Sequence, residues 1–299
     1  MPKTPSPLDT FKREENRKSK ELKNYIYDAR SNYVVAHRET LDGLSQRGRL
    51  DWAAANGDVR IAAAITLVET ARTLRTELSA ASPRVSSVVV SAEQWFVNLH
   101  DAHGCDIRAI RRELSELFRS FNYLGVVEPG FYPRRKVPPS VTNGAVSWHA
   151  HLLFWGRERD PLARTLEDYN AFTRGVLFGV PAATLRSRSW NSFEALICYA
   201  QKTPSKSYST RRMPERADPM TGEIIAEHDR QLAQQLRPGQ QMHMRNVLRE
   251  FCLDDLLLAG GTGKRLLRPL AEQIRRDRTE YRRLLPREYQ EEPTDRLAQ

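Results

Sequence analysis

VSWHAHLLFWG, Val146 to Gly156, sets two histidines one residue apart inside an apolar run. Its β-branched and aromatic content reads as a strand. Alternate side chains of a strand share a face, so His149 and His151 point one way while Val146, Trp148, Ala150, Leu152 and Phe154 point the other. The second set is wholly apolar and belongs against a core. Each imidazole carries two ring nitrogens that must find partners or bear a desolvation cost. Two rings on one face can bind a single divalent ion through neutral nitrogens. A third ligand is then needed, with positions left open for substrate. Glu128, ending the strand NYLGVVE (122–128), is the candidate, although the sequence does not fix the register that brings it close. The alternative is a pair of partly exposed strand histidines hydrogen-bonded to neighbours.

Working outward, RVSSVVVSAEQWFV (84–97) reads as strand and DIRAIRRELSELFRSF (106–121) as an amphipathic helix leading into NYLGVVE. The connection PGFYPRRKVPPSVTNG (129–144) has four prolines and ends in Asn-Gly, so a loop or distorted hairpin is expected. ERDPLARTLEDYNAFTRGV (158–176) reads as helix, and WNSFEALICYAQKTPSKSY (190–208) begins as a helix that Pro204 ends. Residues 1–82 read as a helical N-terminal region, including DVRIAAAITLVETARTLRTELSAAS (58–82). Residues 211–299 read as a polar basic linker followed by helices, among them MRNVLREFCLDDLLLAG (244–260) and LLRPLAEQIRRDRTEYRRLL (266–285). The expected fold class is α+β: a central antiparallel sheet over 83–210 with helices packed on it, flanked by N- and C-terminal helical segments.

The chain has 299 residues, with 47 Lys and Arg against 37 Asp and Glu, a net charge of +10 that favours a polyanionic partner such as nucleic acid. Neither a long apolar segment nor a lipidation signal suggests a membrane, and MPKTPSPLDTFKREENRKSK lacks the apolar core of a signal peptide. Cys105, Cys198 and Cys252 form neither a disulfide framework nor a zinc spacing. A cytoplasmic protein is expected.

In LICYAQKTPSKSY, Tyr199 and Lys202 stand three apart on the expected helix and project from one face. A tyrosine is a poor nucleophile at its free pKa of about 10, and a nearby ammonium or metal remedies that. Tyr208 is discounted as a second nucleophile, because nine residues on a helix is two and a half turns, which faces away, and Pro204 intervenes.

A strand ending in Glu, a strand bearing Trp-His-Ala-His and a later helix with Tyr-x-x-Lys, in that order, resemble the HUH endonucleases, in particular the rolling-circle replication initiators of plasmids and phages. The tyrosine follows the histidines, which resembles the initiator arrangement more than that of conjugative relaxases. The resemblance covers about Val85 to Tyr208 and implies a ferredoxin-like HUH/Rep palm. It implies that His149, His151 and Glu128 hold Mg²⁺ or Mn²⁺ and that Tyr199 nicks single-stranded DNA, leaving a 5′-phosphotyrosyl linkage and a free 3′-hydroxyl. Lys202 would lower the tyrosine pKa or contact the scissile phosphate. The implied partners are single-stranded or supercoiled origin DNA, a host helicase and a DNA polymerase, with no membrane and no nucleotide cofactor. Arg134, Arg135 and Lys136 before the histidine strand, and Lys206, Arg211 and Arg212 after the tyrosine helix, are candidate phosphate contacts. Trp148, Trp155 and Trp190 are candidate base-stacking residues, with core packing as their alternative.

AGGTGKRLL (259–267) resembles a phosphate-binding loop only superficially. The required first glycine falls on Leu258 and the residue after the lysine is Arg265, so a glycine turn at a helix C-terminus is expected. Two competing readings remain: a non-catalytic regulator using LDWAAANGDVRIAAAITLVETARTL (50–74) as a helix-turn-helix, and a transposase using the same tyrosine chemistry.

Overall fold

The histidine run is strand from Ala145 to Trp155, with its apolar face, Val146, Trp148, Ala150, Leu152 and Phe154, fully buried. The computed structural model describes residues 5–28, 38, 41–42, 50–80, 84–133, 144–156, 159–218, 220–221 and 223–284. Its elements are α1 (Pro7–Asp28), α2 (Gly57–Ala80), β1 (Arg84–Val90), β2 (Phe96–Asn98), α3 (Ile107–Leu117), β3 (Asn122–Tyr132), β4 (Ala145–Trp155), α4 (Arg159–Phe172) and β5 (Ala183–Ser189). There follow α5 (Phe193–Gln201), β6 (Lys206–Met213), β7 (Arg216–Ala217), β8 (Ile224–Ile225), β9 (His228–Gln235), α6 (Pro238–Leu248), α7 (Leu253–Leu256), β10 (Leu257–Gly260) and α8 (Gly263–Leu284).

The fold is α+β. One eight-stranded sheet runs β5-β1-β4-β3-β6-β9, with β2 added beside β4 and β10 beside β3. The sheet is mixed rather than antiparallel throughout. Strand β6 leaves the end of α5 alongside the last residues of β3 and pairs with it in parallel at Phe131–Ser207. The core is laid down by β3 and β4, whose antiparallel register runs from Asn122–Trp155 to Tyr132–Ala145. Phe118, Phe121, Tyr123 and Phe154 pack around one end of it, mostly edge to face, a geometry that suits the ring quadrupoles. Helix α3 starts at Asp106, whose carboxylate accepts from the Ala109 N–H, and buries Ile107, Ile110 and Leu114 at helical spacing.

Helix α2 shows why small side chains are concentrated in it. Ala62, Ala63, Ala64 and Ala71 are buried and let its backbone come close to α5 and α8. Residues 50–56 ahead of it form turns and a bridge, so the expected helix-turn-helix is not formed there.

Several expectations need correction. Pro129 to Tyr132 continue β3 instead of opening a loop, since the pairing with β4 persists to Ala145. The linker expected from residue 211 is replaced by paired strands: β6 and β9 pair along their whole length, Lys206–Gln235 to Met213–His228. The glycines of AGGTGK turn β10 into α8 instead of ending a helix. A Cβ at Gly263 would lie 1.8 Å from the Tyr123 carbonyl oxygen, so close packing on β3 accounts for that glycine. No described helix is long and apolar enough to cross a membrane.

Candidate metal and nucleophile site

The β3–β4 register sets Glu128 directly opposite His149, and Val126 opposite His151. Paired residues share a face, so all three polar side chains emerge together on the side of the sheet away from the apolar set. His149 Nε2 lies 3.3 Å and His151 Nε2 2.9 Å from the same oxygen, Oε1 of Glu128. One ligand atom from each residue falls within 4.8 Å of the others. The other carboxylate oxygen, Oε2, is buried without a hydrogen-bond partner.

Those contacts can be tested for fit to a cation. His149 Nδ1 lies 3.1 Å from the Ser147 carbonyl oxygen and can only donate to it, which leaves Nε2 as a lone pair in the neutral ring. That lone pair then faces a carboxylate oxygen, and a second carboxylate oxygen has no partner. A divalent ion placed there would satisfy all of them, and two imidazoles beside one carboxylate suit manganese better than magnesium. Burial opposes the charge on Glu128, but the facing imidazole of His151 and the ammonium of Lys202 outweigh it and hold the carboxyl well below its usual range. Burial also pulls His151 below the usual imidazole range, against the pull of Glu128, so its ring is neutral and fit to ligate at pH 7.

Helix α5 brings Tyr199 over this cluster. Its ring stands edge-on to His151 with centroids 5.3 Å apart, and the residue is 47% exposed. Lys202 lies just beyond the helix, as its C-cap in extended conformation. Its ammonium sits 3.2 Å from the centre of the Tyr199 ring, over the face, in a cation–π contact. The lysine thus meets the tyrosine through the ring.

Two further residues, not foreseeable from local sequence pattern, fix the end of α5. Arg60 of α2 is fully buried and donates to the carbonyls of Ala54, Gln201 and Lys202 at 2.7, 3.3 and 3.2 Å. Burial penalises its charge, and Glu128 and Glu15 offset that only in part. Glu15 of α1, also buried, accepts from the Thr203 hydroxyl at 2.7 Å and the Thr203 N–H at 3.3 Å. At the other end of α5, Arg72 makes a two-pronged bond to Glu194.

Tyr208 departs from expectation. It lies on β6, where alternation replaces helical rotation, and it lines the same cleft of about 350 Å³ as His149, His151 and Tyr199. Burial raises its pKa, and Glu128 and Tyr199 add to that, so it keeps its proton. Gly130 leaves room between its ring and His149: a Cβ there would lie 3.2 Å from Tyr208 Cε2 and 3.3 Å from His149 Cε1.

The candidate phosphate contacts fare unevenly. Arg134, Arg135 and Lys136 lie outside the described residues. Arg212 is committed within the protein, to Asp229 at 2.7 Å, to Glu227 at 3.3 Å and over the Phe178 ring. Lys206 and Arg211 sit on β6 with opposite parity, so they face opposite sides of the sheet. Trp148 and Trp155 are buried in the core, and Trp190 packs on Phe193. Comparison of the chain with protein-family models, curated proteins and solved structures finds no match.

Proposed function

We propose that the chain is a metal-dependent single-strand DNA endonuclease of the HUH type, acting as a rolling-circle replication initiator. The observation that carries this is the meeting of Glu128, His149 and His151 on adjacent strands with the exposed phenol of Tyr199, from a helix remote in sequence, beside them. A bound Mn²⁺ or Mg²⁺ would supply positive charge to a non-bridging oxygen of the scissile phosphate.

Glu128, His149 and His151 would hold that ion. The Tyr199 oxygen forms a bond to phosphorus as the P–O3′ bond breaks, and the bonding pair leaves with the 3′ oxygen, which takes up a proton. The phenol proton passes to solvent, which reaches this half-exposed residue. Lys202, over the ring, stabilises the negative charge that builds on the phenolate. One phosphodiester replaces another, so rejoining needs no nucleotide cofactor. The glycines near α8 are taken up by packing, and unwinding falls to a separate helicase.

Incubation with 3′-labelled single strands of randomised sequence and Mn²⁺ tests the reading. A covalent protein–DNA adduct that is lost in Tyr199→Phe supports it. Binding of the strands without any adduct supports a non-catalytic regulator instead. Insertion of the strand at a second site, in place of rejoining at the first, supports a transposase.

A further inference from the structure

Strand β5 was not visible as a strand in the sequence, yet it ends the sheet beside the site. Its register on β1 pairs Thr184 with Val89, Arg186 with Ser87 and Arg188 with Val85. On its other side β1 pairs Val89 with His151. Thr184, Arg186 and Arg188 therefore stand in one row on the same face as the histidines. Thr184 and Arg186 line the cleft that holds His149, His151 and Tyr199. Both arginines are exposed, and neither has an ion-pair partner among the described residues. Exposed cations on an edge strand, beside a cluster whose single carboxylate is buried, add little to stability.

We propose that β5 is the track for the backbone of a single-stranded DNA, with Arg186 and Arg188 each taking one of two neighbouring phosphates and the Thr184 hydroxyl donating to the phosphate nearest the site. This rests on the nuclease reading for its substrate, and adds which face of the molecule receives the strand. The two guanidinium groups start about 6.6 Å apart along the strand, and the row leads from the sheet edge toward the face where Tyr199 overlies His151. Charge complementarity selects a polyanion, and a narrow cleft of about 350 Å³ favours one strand over a duplex.

The test is anisotropy of a fluorescein-labelled mixed-sequence single strand titrated with the full chain in EDTA, where no cleavage occurs, at several salt concentrations. The Arg186→Ala/Arg188→Ala variant is expected to bind at least about tenfold more weakly, with the slope of log K against log[salt] reduced by roughly 1.4, about 0.7 for each phosphate lost. Arg275→Ala/Arg276→Ala, which removes the same charge from the exposed face of α8, is expected to bind like the parent. Mn²⁺ affinity measured by calorimetry stays unchanged in both, which reports an intact site. Equal weakening by the two double variants, or parental binding by the β5 variant, overturns the track. In the second case an adduct formed with Mn²⁺ would leave the nuclease reading standing. Parental binding that depends on Arg186 and Arg188 but never yields an adduct would keep the track and remove the nuclease. Tighter binding of the matched duplex than of the single strand contradicts the track.

Discussion

Folding lowers the pKa of both Glu128 and His151, and that makes the site a source of acid lability. His151 is held below its ordinary value of 6.5 by burial, so the unfolded chain takes up a proton before the folded one does as pH falls. Glu128 is held below its ordinary value of 4.5, so its contribution is present above that value and is lost as pH falls toward its folded pKa. Both signs agree. Stability without metal should be level above about pH 6.5 and should decline below it, with a second decline under about pH 4.5. Urea unfolding at a series of pH values checks this, and His151→Gln is expected to remove the upper decline. The two histidines, Tyr199 and Lys202 were legible because each pair sits within a few residues and obeys a local period. Glu128 was legible as a strand-end carboxylate, but its place opposite His149 depended on a register that no local pattern states. Tyr208 was misplaced for a physical reason: Pro204 lets the chain restart as a strand, and strand alternation turns the ring back into the cleft.

Helix α5 spans only nine residues, too short to hold itself, and its position depends on its neighbours. Arg60 satisfies two of its last carbonyls, Glu15 secures the residue just beyond, and Arg72 ties down Glu194 near its start. Removing a buried guanidinium takes that donor from three carbonyls and one positive charge from the surroundings of Glu128. Arg60→Met should therefore cost on the order of 3 kcal/mol in urea unfolding. In the molecules that remain folded, the adduct should form more slowly while Mn²⁺ binding by calorimetry changes little, since Arg60 acts on the tyrosine helix and touches no metal ligand. Equal losses in both would assign Arg60 to the fold alone. None of this could be read from the sequence, because the Arg60–Gln201 contact spans 141 residues and the Glu15–Thr203 contact 188. The same holds for the strands that were missed. TLRSRS and HDRQLAQQ are polar on both faces and take their conformation from a paired neighbour, whereas β4 declares itself through a wholly apolar face.

The molecule is organised so that segments far apart in the chain share one core, from Leu8 and Phe11 through the sheet to Ile274 of α8. Helix α2 contributes to that core and holds the tyrosine helix at both ends. A chain lacking residues 1–82 is accordingly expected to lose cooperative thermal unfolding followed by circular dichroism, and not merely a peripheral function; a sharp transition in the shortened chain would contradict this. The α+β class and most helices were legible from apolar periodicity, but the expected helix over 244–260 is broken into the end of α6, α7 and strand β10; neither that strand's place beside β3 nor the parallel β3–β6 pairing was legible, since both join elements that are not neighbours in sequence. The net charge of +10 points to a polyanion without saying where it lies; the exposed arginines of β5 suggest a place. The most direct measurement is mass spectrometry of the protein after reaction with a 3′-labelled single strand and Mn²⁺, followed by proteolysis and mapping of the nucleotide-bearing peptide. The account predicts a 5′-phosphotyrosyl nucleotide on Tyr199 and a released fragment with a free 3′-hydroxyl. A nucleotide on Tyr208, or cleavage that leaves no residue modified, would contradict it.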